Sequence, residues 1–568
     1  MLLDAPTRQR PPATRRAPRT RTLALPASGD LAWLLGLAFL AVAVRVPFVG
    51  VPLGLDEAGY AFVAEQWGSG GDSLYGGQWV DRPPLLIALF AAAVSVGGDV
   101  GVRVLGWVCA VAIVVSCAIA GRLVAGRVAG RWAGVVALVL VSNPAWQGQT
   151  TNAELPAVAF VAASMAATLA AMGVGQRRWT AWRYGVLAGA CAAAALLVKQ
   201  SFADGAVFAV ALGTALLAGR VRTQGDARRS LRAATLGGIV GVAAVGSLAA
   251  AWAATAGPGL GAMVDAVYVF RMEARAELQA FPTAIDGRRR HLLAVAATSG
   301  MFAFALVVAA GLVRGLAARA TRPVAAALLV LLAFEVALVA NGGNWWLHYL
   351  LQLVPALAVG AGVTIGWWRE RFERASRPGS TPARAGHGWV GRAAMAGSLA
   401  WVGVVAILTW GYHVEQYAVH GTARSEQVIG SWLDRASGPG DTAFVTWGTP
   451  NVLWYSGLET PYEHLWSLPM RVRDPQLDEL RAIVAGDEAP TWIVMRGETW
   501  YWDVDRSGRF RHLLEQRYDE VSSVCGTPVL LLREVARGRS SAIPPAPAST
   551  SCGSTPSIGD VPVLDHLA

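Results

Sequence analysis

The sequence has little charge for its length. Only 15% of its 568 residues are Asp, Glu, Lys or Arg, whereas 54% are hydrophobic. A soluble chain of this length could not bury so much apolar surface, so the composition predicts a protein that crosses the membrane many times. The net charge of +10 does not indicate a nucleic-acid partner, because the arginines cluster in short segments between apolar runs, as the positive-inside rule expects.

Nucleotide and metal motifs are also absent. The sequence contains no P-loop, no glycine-rich dinucleotide fingerprint, no HExxH and no paired-cysteine zinc pattern. Nucleotide-driven transport is therefore without support. We expect no required cofactor, although carboxylates could hold a divalent metal ion. Five cysteines do not make a disulfide framework, but Cys525 and Cys552 could pair outside the membrane.

Lysine is nearly missing, since Lys199 is the only one among 48 basic residues. A lysine retained at the end of an apolar run suggests a specific use, and a compact ammonium suits a phosphate group as a point charge. The alternative is an interfacial lysine whose stem is buried while its head reaches water. Arginines predicted to lie outside run against the positive-inside trend and are the other candidate phosphate ligands. They are Arg82, Arg288 and Arg290.

Long apolar runs dominate the first 415 residues. Runs of about 15–22 residues predict eleven transmembrane helices, near 31–49, 103–120, 132–146, 155–174, 184–198, 203–219, 233–254, 291–313, 323–340, 349–368 and 393–412. The apolar segment 84–97 is not counted, because only an interfacial or re-entrant path keeps the basic segments inside. This predicts a multi-pass plasma-membrane protein with a cytoplasmic N-terminus and an external C-terminal region.

Composition divides the chain into four parts. Residues 1–28 predict a basic, disordered cytoplasmic tail, and residues 29–415 a transmembrane domain whose first external loop spans 50–102. Residues 420–535 predict a small extracytoplasmic α/β domain, with a helix at 424–436 and strands near 441–445, 491–495 and 529–532. Residues 536–568 are rich in Pro, Ser, Ala and Gly, so they are predicted to be disordered.

The first external loop carries an adjacent acid pair, Asp56 and Glu57. The apolar stripe from Tyr60 onward predicts a helix lying on a surface, with Asp56 near its start, where backbone donors favour a negative charge. Ionisable groups near membrane depth are costly and usually functional. We therefore interpret the pair as catalytic, with Tyr60 and Trp79 as binding residues. The alternative is a helix cap with a solvated acid.

Further polar residues fall on the same predicted external face. Glu154 begins a span and is a second candidate catalytic carboxylate, or else a helix-start acid that satisfies backbone donors. His348 and Tyr349 are candidate substrate-binding residues, although an interfacial aromatic belt would also explain the tyrosine. Acids and cations from distant segments thus converge on one face, which predicts a single site there.

Four stretches resemble the polyprenyl-phosphate-sugar-dependent membrane glycosyltransferases of GT-C type: RVPFVGVPLGLDEAGYAFVAEQW, LYGGQWVDRPPL, LLVKQS and HYLLQLVPAL. That group includes the protein O-mannosyltransferases, the aminoarabinose lipid A transferase and the RgtA/B/C/D-like enzymes. The resemblance implies an all-α polytopic fold with interfacial helices in the first external loop. It also implies that Asp56 activates the acceptor and that Glu154 is the second acid. Most relatives have aspartate at the latter position, and lysine where this chain has Arg82.

The implied reaction moves a sugar from a polyprenyl-phosphate donor to an acceptor hydroxyl on the outer face of the membrane, with inversion. The partners are then the lipid-linked donor, the bilayer and an acceptor whose class stays open: protein, lipid or wall glycan. The competing interpretation is a transporter or flippase for a lipid-linked glycan. That interpretation predicts paired half-repeats and interrupted helices, and the sequence shows neither clearly.

Overall fold

The computed structural model describes residues 28–68, 74–77, 79–173, 177–219, 225–280, 282–376, 388–539 and 543–553. These residues form a bundle of long apolar helices with a small α/β domain packed on one end. The expected fold class, a polytopic all-α membrane domain followed by a small α/β domain, is confirmed. Apart from Ser28, the predicted N-terminal tail lies outside the described residues.

The helices of the membrane domain are mostly apolar. They are α1 Ser28–Ala43, α2 Leu55–Gly68, α3 Pro84–Val141, α4 Glu154–Ala171, α5 Arg178–Val198, α6 Asp204–Ala218, α7 Gly225–Thr255, α8 Leu260–Val264, α9 Phe270–Ala280, α10 Pro282–Thr298, α11 Met301–Gly315, α12 Arg322–Asn341, α13 Val354–Ala375 and α14 Gly388–His420. Within the described ranges, eight helices are long and apolar enough to cross a membrane, or nine if the bent pair α10–α11 is one span. Eleven spans stays a prediction, since it requires α3 to cross twice and the shorter α6 to cross as well.

Two glycines with a left-handed backbone break α3 into three segments. Gly98 has φ 54° and Gly126 has φ 83°, a conformation that glycine adopts without steric cost. The chain reverses at the second break, where a Cβ on Gly121 would lie 2.7 Å from the Ala129 carbonyl oxygen. The segments of α3 therefore pack closely against one another.

The segment 84–97 begins and ends against the α/β domain. Arg82, just before it, lines a cavity together with Trp466 of that domain. Asp99, just after it, accepts hydrogen bonds from Trp454 Nε1 (2.7 Å) and from the Tyr455 hydroxyl (2.8 Å). A helix of this length spans about 20 Å, less than the hydrocarbon core of ~30 Å. Both ends of the segment therefore lie at the same end of the bundle, which agrees with an interfacial or re-entrant path.

The helix that carries the acid pair, α2, is buried rather than lying on a surface, so that prediction is wrong. Residues 58–64 are all buried, and Tyr60 packs between Phe90 of α3 and Trp466 of the α/β domain. Gly59 lies so close to Trp466 that a Cβ would approach the indole to 2.3 Å. The sequence pattern of α2 could not show that a distant domain covers its second face.

The opposite end of the bundle gathers basic side chains around Asp30. Arg122, Arg127 and Arg131 bind its carboxylate over 2.9, 2.8 and 3.3 Å. These are the arginines that the positive-inside argument predicts to lie beside the N-terminal tail. The ion cluster ties α1 to the turn of α3 at Gly126.

The α/β domain contains six helices and one sheet. The elements are α15 Ser425–Ala436, α16 Pro450–Ser456, α17 Ser467–Arg473, α18 Asp478–Ala485, α19 Arg509–Arg517, α20 Arg533–Arg539, β1 Ala443–Val445, β2 Trp492–Val494, β3 Tyr518–Val524 and β4 Thr527–Leu532. The strand order is β1-β2-β4-β3, parallel between β1 and β2 and antiparallel elsewhere. The sequence predicts three of these strands. It misses β3, whose central side chains are mostly polar and turned outward.

A disulfide between Cys525 and Cys552 closes the end of the α/β domain. Nearby, Trp432 Nε1 donates to the carbonyl oxygens of Pro544 and Pro545, each over 3.2 Å. Residues 543–553, in the segment predicted to be disordered, thus pack on the domain, and 554–568 lie outside the described residues.

Candidate active site

A cavity of about 430 Å³ lies between the membrane domain and the α/β domain. Six arginines and three carboxylates line it, so its field is positive and favours an anionic ligand. These charged residues are Arg82, Arg103, Arg271, Arg288, Arg424, Arg471, Asp56, Glu57 and Asp81. The cavity therefore brings the first external loop together with segments more than 300 residues away.

Asp56 faces this cavity from the first turn of α2. The indole Nε1 of Trp466 donates a hydrogen bond to Asp56 Oδ1 over 3.2 Å. Among the described residues none hydrogen-bonds the other oxygen, Oδ2. One carboxylate oxygen is thus held by the α/β domain, and the second is available to a substrate hydroxyl.

Glu57 is buried and bound on both oxygens. Its Oε1 accepts from Arg103 Nη1 (2.5 Å) and from the Thr151 amide (2.6 Å), and its Oε2 accepts from the Gly54 amide (3.0 Å). Arg103 also donates to the carbonyl oxygens of residues 51 and 52. The ion pair fixes the start of α2 to α3, and the hydrogen bond from Thr151 fixes it to the loop before α4. The sequence places Arg103 at the start of a predicted span and gives no sign of this partner.

Arg82 belongs to a second ion pair at the wall of the cavity. It binds Asp81 Oδ1 over 2.7 Å, and its Nε donates to the Tyr60 hydroxyl over 3.0 Å. The guanidinium of Arg271, from α9, contacts the same Asp81 carboxylate. Burial alone would raise the pKa of Asp81, but Arg271 and Arg82 outweigh it and hold that pKa below its usual value. Two cations therefore share one carboxylate.

Glu154 joins Lys199 and His348 at the base of the site. Its Oε1 binds the Lys199 ammonium and lies 3.5 Å from His348 Nε2. The His348 Nδ1 is 2.7 Å from Gln147 Oε1. Lys199 also lies over the Tyr349 ring, 4.5 Å from its centroid. Burial lowers the pKa of Lys199, although the carboxylate of Glu154 acts in the opposite direction.

Asp56 and Lys199 lie at the same end of the bundle, as predicted. Both are close enough to His348 to act on it electrostatically. His348 and Tyr349 line the cavity, and so does Tyr60. Glu154 and Lys199 lie just behind that wall, where they hold His348 and Tyr349 in place.

The remaining predicted binding residues have different positions. Arg288 lines the cavity, with its guanidinium 4.8 Å from the centroid of Trp346 and its Nε donating to the Asn344 carbonyl over 2.9 Å. Arg290 is exposed and is not among the cavity-lining residues. Trp79 is buried behind the wall, packed edge-on against Phe270 at 4.9 Å.

Sequence reasoning misses the residues that the α/β domain contributes. The charged and aromatic ones among them are Arg424, Trp447, Trp466, Arg471 and Trp502. Arg471 ties the two domains together, because its Nε donates to Glu277 Oε1 of α9 over 2.9 Å. No local pattern marks these side chains, because only the fold brings them to the first external loop.

Metal ligands are not clustered in the described part of the chain. No group of three or more His, Cys, Asp or Glu side chains there is arranged to hold a metal ion. The cations that face the cavity are those of the arginines.

Solved structures match this chain over most of its length. ArnT from Cupriavidus metallidurans bound to undecaprenyl phosphate is 16% identical, and the match covers 89% of this chain and 98% of ArnT with a TM-score of 0.57. ArnT in the apo state gives 14% identity, the same coverage and a TM-score of 0.58. The Archaeoglobus fulgidus oligosaccharyltransferase AglB, in complex with an inhibitory peptide and a dolichol-phosphate, gives 12% identity, 82% and 69% coverage and a TM-score of 0.50.

No family model matches the sequence, and no curated protein matches it significantly. At identities of 12–16% the structural matches establish the fold alone. The chain has the GT-C glycosyltransferase fold, as the resemblance implies.

Proposed function

We propose that this protein is a membrane glycosyltransferase that moves a sugar from a polyprenyl-phosphate donor to an acceptor hydroxyl. The observation that carries the proposal is the shared cavity of Asp56 and the arginines. A carboxylate that can take a proton and cations that can hold a phosphate meet in one space. The structures of similar fold that contain undecaprenyl phosphate and dolichol-phosphate support the same donor class.

The reaction needs a base and a stabilised leaving group. The acceptor oxygen attacks the anomeric carbon and forms the new glycosidic bond, while Asp56 Oδ2 takes the hydroxyl proton. The bond between the anomeric carbon and the phosphate oxygen breaks, and both of its electrons leave with the polyprenyl phosphate. Attack opposite the leaving group inverts the anomeric configuration.

Cations beside the departing phosphate stabilise the charge that develops on it. Arg82 and Arg271 are suited to this role because they share Asp81, which leaves the group with a net positive charge. Lys199 is neutralised by Glu154, so we assign this pair to holding His348 and Tyr349 at the wall. Glu57 has no oxygen to spare, and we assign it to positioning Asp56 rather than to proton transfer.

We propose that the reaction takes place on the outer face of the membrane and needs no cofactor. The disulfide of the α/β domain supports the outer location. The arginine cluster around Asp30, at the opposite end, supports a cytoplasmic N-terminus. A reporter fused to the C-terminus should report from outside the cell, and a cytoplasmic signal would overturn this orientation.

Purified protein incubated with a polyprenyl-phosphate sugar tests the activity. We expect release of polyprenyl phosphate that depends on protein and rises when acceptor is added. A donor that crosses the membrane of a reconstituted vesicle without losing its sugar would instead establish a flippase.

A further inference from the structure

The α/β domain presents two tryptophans to the cavity from an unfavourable backbone conformation. Trp447 has φ 62° and Trp502 has φ 57°, in the left-handed region that residues with a Cβ rarely adopt. Both line the cavity that contains Asp56. Residues held in this way cluster at ligand sites, because the surrounding structure must fix them there.

Contacts within the protein fix both indoles. Trp447 Nε1 donates to the Glu498 carbonyl oxygen over 2.7 Å. The guanidinium of Arg471 lies over the Trp502 ring, 4.6 Å from its centroid, and the same guanidinium binds Glu277 of the membrane domain over 2.8 Å. The two rings are therefore oriented before any ligand arrives, which lowers the entropic cost of binding.

We propose that Trp447 and Trp502 form the acceptor subsite and that the acceptor is a glycan. This inference rests on the proposed glycosyl transfer and names the acceptor class that sequence leaves open. A sugar ring has C–H groups on one face that pack on an indole, and hydroxyls at its edge that need hydrogen-bond partners. Arg424, which also lines the cavity, carries a guanidinium whose N–H groups are suited to sugar hydroxyls.

The cavity fits a glycan better than a peptide or a lipid. At the sheet edge that leads to Trp447, a peptide cannot extend the sheet, because β1 is bridged on its outer side, where the Ala443 amide donates to the Glu459 carbonyl over 2.9 Å. The six arginines that line this cavity are better matched to the hydroxyls of a glycan than to the acyl chains of a lipid acceptor. Rigid aromatic faces beside hydrogen-bond donors are what a carbohydrate requires.

Binding can be measured without turnover. Saturation-transfer NMR on the full-length protein in nanodiscs would use three probes: a set of tetra- to hexasaccharides of mannose, arabinose or N-acetylglucosamine, a Ser/Thr-rich peptide, and a short-chain glycolipid. We expect transfer to the C–H protons of at least one oligosaccharide and a loss of at least 10-fold in its affinity in W447A and W502A. W447F, which keeps an aromatic face, should recover part of the affinity. Trp500, 60% exposed in the same domain and outside the cavity lining, gives the control W500A, which should bind normally.

Turnover separates this inference from the proposed function. W447A and W502A should raise the KM for the oligosaccharide, whereas the control W500A should leave that KM unchanged. Binding of only the peptide or the glycolipid, or oligosaccharide binding that W447A and W502A do not weaken, would overturn the glycan subsite. Oligosaccharide binding by a protein that never consumes the donor would instead refute the proposed glycosyl transfer.

Discussion

The indole Nε1 of Trp466 donates to Asp56 Oδ1 over 3.2 Å, so two residues 410 positions apart form one hydrogen bond. Trp466 precedes α17 of the α/β domain, and Asp56 begins the helix that follows the first span. The hydrogen bond joins the two domains at the carboxylate assigned as the base. The α/β domain is therefore part of the candidate active site rather than an appendage.

Replacing Trp466 with phenylalanine tests this relationship. W466F keeps an aromatic ring near Gly59 and removes the N–H donor together with part of the volume of the indole. A hydrogen bond to a charged group contributes about 1.5–3 kcal/mol, so we expect kcat to fall by about 10–100-fold with the KM for donor nearly unchanged. Steady-state kinetics measure both constants.

Tyr455 provides the matched control. Its hydroxyl donates to Asp99 and accepts from the Leu53 amide at the same domain interface, and it does not hydrogen-bond Asp56. If Y455F lowers kcat as much as W466F does, the effect comes from a loosened interface and Trp466 does not position the base.

The buried ion pair of Glu57 and Arg103 should dominate the stability of the site. E57Q leaves an uncompensated guanidinium that is only 2% exposed, and breaking such a pair costs about 3–5 kcal/mol. The double variant E57Q/R103M removes that charge and should recover part of the loss. Thermal unfolding of the detergent-solubilised protein measures the stability of each variant. An E57Q protein as stable as wild type would contradict this prediction.

Arginines at the cavity should bind the donor phosphate, whereas Arg290 should not. R82A removes a guanidinium from the cavity wall, and we expect a Kd for polyprenyl phosphate at least about 10-fold higher, in line with the loss of one charge-assisted hydrogen bond. R290A removes the same charge from an exposed position outside the lining. Titration with polyprenyl phosphate measures the Kd of each variant. An equal rise in Kd for R82A and R290A would indicate a diffuse electrostatic effect.

Chelation should leave the rate unchanged. The arginines of the cavity supply the positive charge that a divalent ion would otherwise bring to the phosphate. Activity measured after dialysis against EDTA, with and without added Mg²⁺ or Mn²⁺, checks this. A rate that collapses with EDTA and returns with one metal would mean that the carboxylates bind that ion.

The sequence locates the part of the site whose residues lie close together along the chain. Asp56, Arg82 and Tyr60 share one external loop, and Lys199 stands out because lysine is otherwise absent. A residue in a predicted segment does not always reach the cavity. Arg288 lines it, whereas Arg290 and Trp79 do not.

The other half of the site could not be predicted. In the sequence, Arg103 cannot be told from any other arginine at the start of a predicted span. Its buried partner, Glu57, lies 46 residues away. Trp466 and Arg471 reach the cavity only because the segment 466–473 docks on Asp56 of α2 and on Glu277 of α9. A pattern of apolar residues fixes which face of a helix is buried, but not which distant domain covers it.

The rate of polyprenyl phosphate release by D56N is the most direct test of the assigned base. General-base catalysis contributes about 10²–10⁴-fold, so D56N should lose at least about 100-fold in kcat while keeping the Kd for polyprenyl phosphate and the thermal stability of wild type. D99N, which changes a carboxylate at the same domain interface, should remain active. A D56N protein with wild-type turnover would contradict the assignment of Asp56 and with it the proposed mechanism.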